Sequence, residues 1–411
     1  MTLNTFKTGA VALLGIAGVY GTAQADGIDF KGYVRSGIGA TSGGGDQVCF
    51  QAANTPGKFR LGNECETYSE LSLGKSLYKQ DGKEFYLQTT VAYVSEQKNG
   101  FEGITPQSDF GDGNVASREF AIIGRNVVDQ LPGATLWAGK RFYKRNDIHM
   151  RDYYYWDTSG PGAGIEDIDV GPMKFSVAWT RSTSGSSNDN FDFRFTDYKV
   201  SEQGTLDFGV TYGDTNLNPN DVQLGRQENN GTLFTVQHTQ GGFFGGFNKF
   251  VVQYGQDAMA SEPFGGGNGL VSSNTRGDMV RVLTHGVVEF NKRVEMMYSV
   301  IFENLEKDDG TGRDWASIGV RPIYKWTGNM STALEVGHDE VDQQTGGGSN
   351  GLSKITLAQQ WAAGSSIWSR PVLRAFVTHA TWDGPTANSG GVLKPGATSG
   401  TTVGLQAEAW W

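Results

Sequence analysis

The sequence predicts an all-β fold, an antiparallel transmembrane barrel of roughly 18 strands with short periplasmic turns and long external loops. Three observations carry that expectation. Near the end, Val403, Leu405, Ala407, Ala409 and Trp411 alternate with Gly404, Gln406, Glu408 and Trp410, and the chain stops on an aromatic. Tight-turn dipeptides recur roughly every 35–50 residues, room for two crossing strands of about ten residues and one longer loop. No window past the N-terminus approaches the ~18 apolar residues of a spanning helix. The mean hydropathy of −0.39 suits a barrel in which half of every strand faces water.

The N-terminus carries one cation, Lys7, an apolar stretch from Ala10 to Tyr20 and the small-residue site Ala23-Gln24-Ala25. Residues 1–25 therefore read as a secretory signal, leaving 26–411 as one barrel domain. Net charge is −10 at pH 7, and loss of Lys7 makes it more acidic, which argues against nucleic-acid partners. The chain has 59 glycines, 10 Trp, 15 Tyr and 23 Phe; glycine suits turns and close backbone approach, and aromatics suit membrane girdles and stacking platforms. Cys49 and Cys65, exported to an oxidising compartment, are expected to form a disulfide. A metal site would need further ligands, and the nearest histidine, His149, is far along the chain; no cofactor is implied.

Taken in order, the turn signals are Asp81-Gly82, Pro132-Gly133, Gly171-Pro172, Gln203-Gly204, Gly245-Gly246, Asn291-Lys292, Thr327-Gly328 and Ala363-Gly364. Longer loops fall between them: Gly43 to Glu64, Lys98 to Asn114, Asn146 to Gly164, Ser184 to Asn190, Asp214 to Gly231, Asp257 to Arg276, Leu305 to Arg313, Val341 to Leu352 and Asp383 to Gly400. Period-2 alternation then sorts side chains. Phe30, Gly32 and Val34 face lipid, and Asp29, Lys31, Tyr33 and Arg35 the lumen. Leu71 and Leu73 go out; Glu66, Tyr68 and Glu70 go in. Phe250, Val252 and Tyr254 go out; Phe247, Lys249 and Gln253 go in. Leu373, Ala375 and Val377 go out; Trp368, Arg370 and Arg374 go in. Around Arg118 to Ile123 the alternation is ragged.

Tyr33, Tyr68, Phe247, Trp368 and Trp410 are thus lumenal aromatics, each beside a charged or amide residue. A sugar ring has apolar C–H faces and a hydroxyl rim. Aromatic faces take the first by dispersion and ring electrostatics, and charged side chains exchange hydrogen bonds with the second. A continuous strip of weak contacts lets a chain of sugars slide without losing all of them at once. The loop Asn146 to Gly164 shows no strand or helix period, and its charged aromatic stretch is costly in lipid but suited to a fold into the lumen as a constriction. An enzyme using Asp147, His149 and Asp152 as an acid/base group lacks any Gly-x-Ser-x-Gly nucleophile motif.

Several long runs resemble the maltoporin family. They are Gly32-Tyr33-Val34-Arg35-Ser36-Gly37-Ile38-Gly39, Arg60-Leu61-Gly62-Asn63-Glu64-Cys65-Glu66-Thr67-Tyr68, Trp137-Ala138-Gly139-Lys140-Arg141-Phe142-Tyr143 and Tyr154-Tyr155-Trp156-Asp157. Further matches are Gly246-Phe247-Asn248-Lys249-Phe250, Leu357-Ala358-Gln359-Gln360-Trp361, Ser366-Ile367-Trp368-Ser369-Arg370-Pro371 and Trp410-Trp411. The resemblance implies an 18-stranded homotrimer in the lipid of the Gram-negative outer membrane, passing maltose and maltodextrins by facilitated diffusion. It places an aromatic slide on Tyr33, Tyr68, Phe247, Trp368 and Trp410, with Phe101 as a rung lent by a neighbouring subunit. Phe101 stands where the family commonly has Trp, which implies a weaker rung. Polar tracks fall on Arg35, Arg60, Glu70, Arg118, Arg145, Asp147, His149 and Asp152, with Tyr154 narrowing the constriction. Arg151 stands where an apolar residue is usual, which implies an altered constriction charge. A porin of the same architecture for sucrose or aryl-glucosides, or a general diffusion porin, is the competing expectation. The loop before the last strand is short, so a phage-receptor role does not carry over.

Overall fold

The computed structural model describes residues 27–411 except 98–99, 101, 103–113, 183–187, 218, 226, 261–275 and 347. The 1–25 segment and Phe101 lie outside the described residues.

Alternation with one face in lipid leaves a strand no choice but to share every backbone group with neighbours, and only a closed sheet leaves none unshared. The structure is such a sheet of 18 strands. The first, Asp29–Thr41, pairs on one side with Thr67–Gln80 and on the other with the last, Ser399–Trp410. That seam runs from Tyr33↔Trp410 to Thr41↔Thr402. All eight turn signals fall in short connections at one end of the barrel, and the long connections gather at the other. Within the strands parity holds as read: Leu405 is 59% exposed on the outer wall, whereas Glu408 is 3% exposed inside.

Two local differences have clear causes. Thr90 pairs with Glu119 and Val91 with Ser117, so Arg118 is the extra residue of a β-bulge; the bulge shifts the period by one, which is the raggedness seen in the sequence. The loop from Asn146 is also more regular than expected. It contains a two-stranded hairpin, Asn146–Ile148 with Tyr153–Trp156, and Gly160–Gly164 already belongs to the barrel strand Gly160–Asp169. Glycine is required there, because a Cβ on Gly162 would lie 2.2 Å from the Trp179 carbonyl oxygen. The helix Pro219–Gln223, inside a long external connection, is the one helix among the described residues.

The barrel is filled at mid-height. Ile148, Met150, Tyr153, Tyr155 and Trp156 of the hairpin join inward-facing Val251, Leu283, Met297, Ile301 and Trp315 in one buried cluster. Phe59 and Leu61, from the connection between the first two strands, join it too. A second external connection therefore folds inward, which the sequence did not signal. It is closed by the Cys49–Cys65 disulfide, 16 residues apart, a loop whose closure is worth about 3 kcal/mol by the chain-entropy estimate.

Candidate functional site

The hairpin has two faces. Ile148, Met150, Arg151, Tyr153, Tyr155 and Trp156 are buried against the wall, while Arg145, Asp147, His149, Asp152 and Tyr154 remain partly open to the lumen. The apolar and aromatic members take the wall and leave the polar ones water. Tyr155 anchors this face by donating to Gln237 Oε1 (2.7 Å), and Gln253 donates to the Tyr155 carbonyl (2.8 Å).

On the lumenal side the structure assembles a ribbon of rings. Tyr68 and Tyr33 are 6.0 Å apart, and Tyr33 is directly opposite Trp410 across the seam. The His149 ring then sits 5.9 Å from Trp410 and 5.2 Å from Trp368. Trp368, His149 and Phe247 line one recess of about 210 Å³ with Asp147 and Lys249. Trp368 reaches the lumen, 39% exposed, from the connection before the strand Val372–Trp382. Strand alternation does not extend to it, so the sequence placed it correctly on grounds that do not apply.

A charged row flanks the ribbon. Arg60 donates to Glu64 Oε1 (2.7 Å) and to the Tyr33 hydroxyl (2.8 Å), which in turn donates to Glu408 (3.0 Å). Arg35 pairs with Glu64 at 3.0 Å, with Glu66, and with Asp152 at 3.5 Å. Arg370 and Arg374 both reach Glu408 at 2.8 Å, and the Arg370 guanidinium lies 4.1 Å over the Trp410 ring. Arg118 approaches Glu70 at 3.6 Å, and Tyr68 donates to the same carboxylate. Facing this row, Arg145 is held between Phe142, 3.5 Å from its centroid, and Tyr154, 4.7 Å away. The Arg35, Arg60, Arg370 and Arg374 pairs are largely buried and fix the row in place, whereas Asp152, Glu66, Arg118 and Glu70 keep part of their surface open to the lumen.

Electrostatics divide the loop groups. Burial and then Arg60 hold the His149 imidazole well below its usual range, so it is a neutral ring at pH 7. Burial, reinforced by Asp152, pushes the Asp147 carboxyl up. Burial would do the same to Glu64, but Arg35 and Arg60 outweigh it and bring that carboxyl to about 2.

Of the fifteen expected lining residues, twelve lie along one passage, Arg35 and Arg60 are buried supports behind it, and Phe101 falls outside the described residues. Glu64, Phe142 and His285 were missed. Glu64 lies in a segment without period, and its signal was Arg60 four residues before it and the disulfide cysteine after it. Arg151 departs most from expectation: it is fully buried and paired with Asp339, so it does not charge the constriction.

The LamB porin family model matches residues 28–411. Among solved structures, OccK1 (OpdK) of Pseudomonas aeruginosa is similar over 93% of this chain and 99% of its own, at 10% identity and a TM-score of 0.51. OmpT of Vibrio cholerae matches over 96% and 100%, at 9% identity and a TM-score of 0.47. At 10% identity, the likeness to OccK1 concerns the barrel fold alone.

Proposed function

The chain belongs to the LamB porin family, an outer-membrane solute porin, and from that premise we propose that it conducts maltose and maltodextrins along the aromatic ribbon. The observation carrying this reading is the run Tyr68, Tyr33, Trp410, His149, Trp368 and Phe247, with neighbouring rings 5–6 Å apart where they meet and carboxylates and guanidiniums along its edge. The α-1,4-linked glucose units of a maltodextrin follow a gently wound helix that turns successive apolar C–H faces to one side, and the ribbon offers rings in succession to them. Each ring contact is worth on the order of 1 kcal/mol, weak enough for a unit to leave one ring as it meets the next. Glu70, Arg118, Asp147 and Asp152 exchange hydrogen bonds with the hydroxyl rim, and Arg60 and Glu64 support them from behind. Tyr154 and Arg145, stacked together, set the width opposite.

The mature chain, beginning at Asp26, is proposed to act as a homotrimer, with Phe101 lent to a neighbouring pore. Swelling of liposomes containing the porin tests the sugar class. Maltotriose is expected to enter faster than raffinose, a trisaccharide of equal mass, and maltodextrin to compete with maltose but not with sucrose or an aryl-glucoside. Equal rates for the size-matched pair would leave only a general diffusion pore.

A further inference from the structure

We propose that Arg151 is a positioning residue for the constriction: its buried tie to Asp339 fixes the tip of the inward hairpin against the wall and adds no charge to the pore. This rests on the reading of that hairpin as the constriction. Arg151 sits in the tight turn between the two hairpin strands, where its backbone N–H donates to the Ile148 carbonyl at 2.9 Å. His149 and Asp152, on either side, face the lumen. Whatever holds Arg151 therefore holds them.

The hold is directional. One Nη of Arg151 donates to Ser317 Oγ at 2.7 Å and to Asp339 Oδ2 at 3.2 Å; the other lies 3.0 Å from Asp339 Oδ1 and donates to the Gly57 carbonyl at 2.6 Å. Its guanidinium is stacked 4.4 Å from the Phe59 centroid and 5.1 Å from Trp315, and Trp315 Nε1 donates to the same Asp339 at 3.0 Å. A single planar fork thus joins three bodies: the hairpin tip, the disulfide-closed first connection through Gly57 and Phe59, and the wall strands Arg313–Lys325 and Met330–Gln343. Ile148 and Met150 add apolar packing, and the tip's carbonyls accept from the Arg60 backbone N–H (Met150, 3.1 Å), the Arg60 guanidinium (His149, 3.3 Å) and Arg321 (Met150, 3.4 Å). Among these holds the Arg151 fork is the one that spans a buried carboxylate with both nitrogens. The tip's other ion pair, Asp152 with Arg35, is 3.5 Å long with the carboxylate 42% exposed, and exposed pairs contribute little. Only an arginine supplies the fork; a lysine is a point charge with no planar match to a carboxylate.

Arg151→Met, Arg151→Lys and the double variant Arg151→Met with Asp339→Asn test this in the whole porin. Folded barrels are identified by heat-modifiable electrophoretic mobility. Each is then read in planar bilayers without sugar, by open-channel current noise and by reversal potential in a KCl gradient. The double variant leaves no unpaired buried carboxylate, so its noise reports the lost tether alone; it also carries the test where Arg151→Met by itself fails to fold. The expected result is several-fold greater noise in Arg151→Met and in the double variant, partial recovery in Arg151→Lys, and an unchanged reversal potential in the double variant. A double variant as quiet as the parent, or one with a displaced reversal potential, overturns the proposal. Neither readout uses sugar, so this failure is distinct from failure of the maltodextrin reading.

Discussion

Trp368 and Asp147 show what single side chains contribute to the passage. Trp368 is partly exposed, touches His149 and lies outside any strand, so its removal takes a face from the ribbon with little damage to the wall. Trp368→Ala is expected to weaken sugar block by roughly fivefold, the equivalent of about 1 kcal/mol of stacking, with open-channel conductance changed far less. Equal changes in both, measured in one bilayer series, would make this tryptophan merely structural. Asp147 gives a pH dependence whose sign is fixed. Burial and Asp152 favour its protonated form, so on acidification it loses its charge above the ordinary carboxylate range near 4. Glu64, held at about 2 by Arg35 and Arg60, keeps its charge throughout that interval. The preference for cations should therefore begin to fall on acidification before the ordinary carboxylate range is reached, and Asp147→Asn should flatten that profile. A profile identical in the variant would assign the titration elsewhere. The sequence exposed Asp147 by its place in a charged loop, but not the partners that separate it from Glu64.

Among elements, the inward-folded connections decide the shape of the passage, and they were the least legible. Strands announce themselves because lipid on one side and water on the other enforce a period of two residues. Loops that pack on a distant wall obey no period. Phe59 is seated against Gly319 and Gly337, paired across adjacent strands, where a Cβ would lie 2.0 and 2.3 Å from its ring. Those glycines are 260 and 278 residues away in sequence, and nothing local in the first connection points to them. Arg151 looked like a pore charge for the same reason: its partner Asp339 is 188 residues on. Gly337→Ala should force Phe59 outward at a cost of about 1–3 kcal/mol for overpacking and shift Arg60 and Glu64, which ride on the same connection. A lower unfolding midpoint together with weakened sugar block is expected. A normal midpoint and normal block would show that the seat does not position this loop. The bulge at Arg118 was half legible, since the broken alternation was visible but its cause was the extra residue opposite Thr90 and Val91.

For the whole molecule, the turn signals and the terminal alternation were enough for the strand count, the direction of closure and the side of the wall on which Tyr33, Tyr68 and Trp410 stand. All of these follow from the same requirement that each backbone group be shared inside lipid. What lay beyond reach was the order of rings within the lumen, because it depends on how the hairpin brings His149 between Trp368 and Trp410. In the proposed function that order makes a path of the scattered aromatics. A path of weak successive contacts must fill saturably, and a sugar occupying it must stand in the way of ions. Ion current through the reconstituted porin in a planar bilayer, titrated with maltohexaose, therefore tests the central claim most directly. A saturable block at millimolar sugar with resolvable current noise is expected; an ohmic current that millimolar maltohexaose leaves untouched would show that no such path is used.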